Sequence, residues 1–140
     1  MTTLNGQILG QAERATRAVL DRLLDQAGTD FHRWVALNVT ANAAEPVPVA
    51  ALAARMAAGL KIAEPEAAAA IDRLVGAGLL AAAAGGLTPT ATGAQLYQRI
   101  SAGIGEITTR LYGDIPAADL AVAGRVLQLV TARADAELVA

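Results

Sequence analysis

Thirty-five of the 140 residues are Ala, while Phe, Tyr and Trp together make up only 3% of the chain. That pairing constrains the fold more than any other feature. Ala is the best helix former and is depleted in strands, and a core almost without rings needs closely packed backbones. The expected fold class is therefore mainly α. Disorder is excluded by a hydrophobic fraction of 54%. A chain of 140 residues matches one compact domain. The absence of Cys removes disulfide scaffolds, thiolate metal sites and cysteine nucleophiles.

Helical periodicity begins early. Ile8, Ala12, Ala15, Val19 and Leu23 recur every three or four residues, with Arg14, Arg17, Asp21 and Arg22 mostly between them. Ala27-Gly28 ends that helix, and Thr29 or Asp30 can cap a second one carrying Phe31, Trp34, Val35 and Leu37. Pro46 and Pro48 then impose a loop. From about Val47 an Ala-rich helix runs to Gly59, read as its C-terminal glycine. A short turn leads to Glu64-Pro65-Glu66, where Pro suits the first helical turn and the carboxylates suit the positive end of the dipole. That helix stops at Gly76-Ala-Gly78, so the two short helices form a helix-turn-helix unit.

Leu79-Leu80, Ala81 to Gly86 and Leu87-Thr88 are too short and too Gly-marked for another helix, and Gly85-Gly86 reads as a hairpin turn. Thr88-Pro89 is expected to restart helix as cap and first residue. Leu96, Ile100, Ile104, Ile107 and Leu111 follow at helical spacing. After Gly113-Asp-Ile-Pro116 a last amphipathic helix carries Leu120, Ala123, Leu127, Val130, Ala134 and Leu138. Tyr97 and Tyr112 are expected on these last helices, with wet hydroxyls.

This order resembles the MarR family of winged-helix transcriptional regulators. Phe31-His-Arg-Trp-Val-Ala-Leu37 is similar to the family's second helix, and Val49-Ala-Ala-Leu-Ala-Ala-Arg-Met56 to its first helix-turn-helix element. Glu66 to Leu79 resembles the recognition helix with its Asp-Arg-Leu ending, and Leu87-Thr-Pro-Thr-Ala-Thr-Gly93 the exit from the wing. The resemblance implies a single MarR-like domain over residues 1–140, with a reading head at about 30–92 and dimerisation helices at about 6–27 and 93–140. It implies a homodimer, double-stranded DNA as partner and a small aromatic or anionic ligand. The expected dimer interface includes Leu9, Val19, Leu120, Leu127 and Leu138. The expected DNA-binding residues are Arg55, Lys61, Glu66, Ala67, Ala70, Arg73 and Thr90. The expected ligand-binding residues are Arg14, Arg17, His32 and Trp34, in a cleft between the dimer helices and the head.

The charges depart from that pattern. Between Glu45 and Thr92 three cations (Arg55, Lys61, Arg73) face four anions (Glu45, Glu64, Glu66, Asp72). Phosphate contacts supply most non-specific DNA affinity, and Ala81-Ala-Ala-Ala-Gly-Gly86 offers no cation to a minor groove. Two readings follow: a DNA-binding regulator, or a winged-helix dimer that has lost operator binding and senses a ligand or docks a protein. The first is put ahead of the second.

Other chemistry finds little support. His32 is the sole His and has no partner at metal-ligand spacing; Ser101 is the sole Ser and falls on a helix. No enzyme activity, cofactor or metal is expected. The opening MTTLNGQ lacks a basic region followed by an apolar run, and the uncharged stretch from Leu74 to Gln98 contains five Gly and a Pro. A cytoplasmic protein that crosses no membrane is expected.

Overall fold

The structure is a computed structural model that describes residues 2–140. Its elements run α1 (Gly6–Gln26), α2 (Phe31–Ala41), α3 (Val49–Leu60), α4 (Glu64–Gly76), β1 (Leu80–Ala83), β2 (Gly86–Pro89), α5 (Ala91–Tyr112) and α6 (Ala117–Leu138). The chain divides into two compact units, one ending at Gly105 and the other comprising Glu106–Ala140.

Local chemistry explains the helix ends. Asn5 accepts the Ile8 N–H at 2.9 Å to start α1, and Asp30 accepts the Arg33 N–H at 3.1 Å to start α2. Gly28 and Gly78, at φ 79° and 74°, turn the chain out of α1 and α4. The end of α3 differs from expectation. The helix continues through Gly59 to Leu60, and Lys61 takes the left-handed conformation at φ 57°. Its ammonium donates to the Ala58 carbonyl at 2.8 Å, which satisfies one of the open carbonyls at the helix end.

The first unit is built on α2, α3 and α4. Leu37, Leu52, Met56, Ile71 and Leu74 are almost wholly buried, and Leu24 of α1, Leu80 and Leu87 of the hairpin and Ile100 of α5 join them. Trp34 closes the same core and stacks on Tyr97, with ring centroids 5.6 Å apart and planes 13° from parallel.

β1 and β2 form an antiparallel hairpin that pairs Ala81 with Thr88 and Ala82 with Leu87. Its turn is Ala84-Gly85, one residue earlier than the sequence suggests, with Gly85 at φ 92°. Val47, expected at the start of a helix, instead exchanges both backbone bonds with Leu87, at 2.9 and 2.7 Å. A Cβ on Gly86 would lie 2.2 Å from the Val47 carbonyl carbon, so Gly is required for this approach.

Thr88-Pro89 does not restart helix, because both residues belong to β2. The cap is Thr90, whose hydroxyl donates to the Gly78 carbonyl at 2.6 Å and accepts the Gly93 N–H at 3.0 Å. A Cβ on Gly93 would fall 2.0 Å from the Leu79 carbonyl oxygen. Gly93→Ala is therefore expected to destabilise the protein by at least about 2 kcal/mol through overpacking. Gly59→Ala, within α3 and with nothing within 4 Å, should stabilise it by about 0.5–1 kcal/mol. Urea unfolding of the two variants checks both signs.

Candidate nucleic-acid interface and adjoining cleft

α3 and α4 pack through Leu52, Ala53 and Met56 on one side and Ala67, Ala70, Ile71 and Leu74 on the other, all buried. This corrects two expected DNA contacts. Ala67 and Ala70 are 0% and 1% exposed, so their methyls are core atoms that no duplex can touch. The helical spacing of 67, 70, 71 and 74 is the apolar stripe that holds α4 in place.

The outward face of α4 carries Glu64, Glu66, Asp72 and Arg73, all exposed. Arg55 is exposed on α3. Lys61 is exposed at the turn, although its ammonium already bonds a carbonyl. Thr90 is a second correction: its hydroxyl proton is held by Gly78 and its oxygen by Gly93, so it braces the wing exit instead of offering a free donor. The wing tip, Ala81 to Gly85, is exposed and uncharged.

Arg73 has a further partner that sequence reasoning missed. Its guanidinium lies 3.9 Å from Asp30, which also pairs with Arg33 Nε at 3.2 Å. Burial pushes the Asp30 pKa up, but the Arg33 backbone and side-chain bonds and the charges of Arg33 and Arg73 outweigh it and hold the carboxyl below its ordinary value. The Asp-x-x-Arg spacing of 30 and 33 signals the cap and its pair; nothing in the sequence signals Arg73.

The residues expected around a ligand are only partly together. Arg17 and His32 line an open cleft of about 630 Å3 with Asp21, Arg22, Asp25, Thr29, Asp30 and Phe31. Arg17 sits 3.4 Å above the Phe31 ring and pairs with Glu13 at 3.2 Å. Neither Arg14 nor Trp34 lines this cleft. Arg14 folds back along α1 against Gly10. Trp34 is 7% exposed and covered by Tyr97, so its ring is a core element. Tyr97 is in turn fixed through its hydroxyl, which receives the Asn42 amide at 3.1 Å. Hydrogen bonds with Ser101 and then Asn42 hold its pKa below the ordinary phenol value.

A two-stranded wing behind a helix-turn-helix, flanked by long helices, decides the fold. The chain has the MarR-type winged-helix fold. It is similar to the MarR family protein Rv2887 of Mycobacterium tuberculosis in its complex with DNA, at TM-score 0.69 and 19% identity over 92% of this chain and 98% of that one. It is similar to CouR of Rhodococcus jostii bound to p-coumaroyl-CoA, at TM-score 0.76 and 17% identity over 89% and 90% of the two chains. It is also similar to the transcriptional regulator PA3341, at TM-score 0.76 and 24% identity over 93% and 97%. No protein-family model matches the chain, and no curated protein matches it by sequence. Among the described residues of this MarR-type fold, no single helix is long and apolar enough to cross a membrane, and no group of three or more His, Cys, Asp or Glu is placed to hold a metal.

Asp30 gives the site a pH signature. Because its folded pKa is lowered, its ionic contribution is present at neutral pH and is lost as pH falls through the carboxylate range. Asp30→Ala should cost about 1 kcal/mol as a lost N-cap. Asp30→Asn keeps the cap, so it should be less stable than the parent at pH 7 and indistinguishable from it well below about pH 3.9. Urea unfolding across that range checks the convergence.

Proposed function

We propose that this protein is a ligand-responsive, DNA-binding transcriptional regulator that works as a homodimer in the cytoplasm, and not an enzyme. The observation that carries the reading is the helix-turn-helix itself: α4 is pinned by four buried residues along one stripe, leaving Glu66, Asp72 and Arg73 outward beside an exposed wing. Similar proteins of this fold are described in complex with DNA, with salicylic acid and with p-coumaroyl-CoA.

On this reading Arg55, Arg73 and Lys61 supply phosphate contacts, and the carboxylates of α4 restrain affinity for arbitrary sequence. Duplex DNA of random sequence should bind at low salt, with an affinity that falls as salt rises. Fluorescence anisotropy reads this directly. Arg55→Ala should weaken binding and flatten the salt slope, and Glu66→Gln should strengthen it several-fold. The acidic α4 and the uncharged wing favour a second reading, a winged-helix dimer that senses a ligand or docks a protein without operator binding. Absence of any salt-dependent binding at low salt would select that reading and sink the first.

The dimer rests on α6. None of its 22 residues is buried, although Val122, Leu129, Val130 and Leu138 are large apolar side chains. A monomer rarely leaves such a helix uncovered. Leu9, at 37% exposure, and Leu120 and Leu127, half-buried, are apolar groups with surface left to cover. Val19 is half-buried on α1 and belongs to the same proposed interface. Light scattering should give a dimer at micromolar concentration. A Val122→Asp, Leu129→Asp double variant should shift it to monomer while the head stays folded, because neither residue is in the core.

A further inference from the structure

The cleft at Phe31 is poorly suited to an anion. Asp21, Asp25 and Asp30 outnumber Arg17 and Arg22 there, and Arg17 is already engaged by Glu13. A different groove, between the C-terminal end of α1 and the first half of α5, has the opposite character. It encloses about 810 Å3 over a floor that includes Ala27, Leu79 and Leu96, with Gln95, Gln98 and Arg99 on the α5 side. A smaller hollow of about 190 Å3 shares Ala27 and Arg99 and extends the apolar lining along Leu23 and Ile100.

Arg99 is the only ionisable residue lining either space. No described carboxylate pairs with it. The floor is aliphatic throughout, so it offers contact area to a chain and no ring on which an aromatic could stack. One unpaired guanidinium beside two amide side chains matches a carboxylate, which accepts from both kinds of donor.

We propose that the α1–α5 groove binds an aliphatic carboxylate, its chain on Ala27, Leu79 and Leu96 and its head group on Arg99. This rests on the reading of the protein as ligand-responsive and names the ligand class and its place. The site lies where such a ligand would be felt. The Leu79 N–H bonds the Leu74 carbonyl of α4 at 2.9 Å, and the Leu79 carbonyl accepts the Thr90 N–H at the exit of the wing at 3.0 Å.

The test is a titration of the 15N-labelled full chain with octanoate, followed by amide chemical shifts. Shifts should centre on Gly28, Leu79, Gln95 and Arg99. Arg99→Gln should weaken octanoate about fivefold, the scale of one exposed ion pair. Octan-1-ol should bind the parent more weakly than octanoate and should not distinguish the variant from the parent. The proposal is overturned by shifts centred on Asp21 to His32, by an unchanged affinity in Arg99→Gln, or by no saturable shift at millimolar octanoate. No DNA enters the measurement, so a head that fails to bind duplex leaves this result standing, and the reverse.

Discussion

The fold of the first unit depends on a knot of backbone bonds around Leu79. Its N–H closes the end of α4 on Leu74, and its carbonyl receives Thr90 as the chain leaves the wing. Thr90 then ties Gly78 to Gly93, at the two ends of the hairpin. Gly93 stands so close to the Leu79 carbonyl that any side chain would displace it. Recognition helix, wing and α5 are therefore positioned by one short stretch, and movement at Leu79 is communicated to all of them. Buried backbone groups left unpaired are costly, which is why this knot has few alternatives.

Electrostatics separates this head from a generic DNA-binding surface. The positive end of the α4 dipole carries Glu64 and Glu66, which stabilise the helix while opposing phosphate. Arg73 shares Asp30 with Arg33, so part of the head's small positive charge serves its own cohesion. Local helix stability and attraction to a polyanion are thus in competition at the same residues. An interface of this kind leans on shape and on a few cations such as Arg55 more than on a broad positive field.

Much of the fold was legible in the sequence because helix periodicity and punctuation are local. The apolar spacing of α1, α4, α5 and α6 and the stops at Gly28 and Gly78 follow from side chains within a few turns of each other. The failures involve partners distant in sequence or competition among local signals. Val47 joins the wing because Leu87, forty residues on, offers it a ladder position. Gly59 looks like a helix stop, yet the left-handed residue is Lys61. Thr88-Pro89 has the look of a helix start, but pairing with Ala81 and Leu80 keeps both residues extended.

The candidate sites show the same division. Sequence alone determined a mainly helical chain, a helix-turn-helix with an uncharged wing, and a head poor in cations, since composition and short-range pattern suffice for each. Tertiary structure decided which atoms are available. It turned Ala67 and Ala70 inward, closed Trp34 under Tyr97, held Thr90 in the wing exit and brought Arg73 to Asp30. It also left Arg99 unpaired over an aliphatic groove, which no spacing in the sequence announces. Periodicity can divide a helix into faces, but which face meets a neighbour, a solvent-filled groove or another charge is set by packing between segments far apart in the chain.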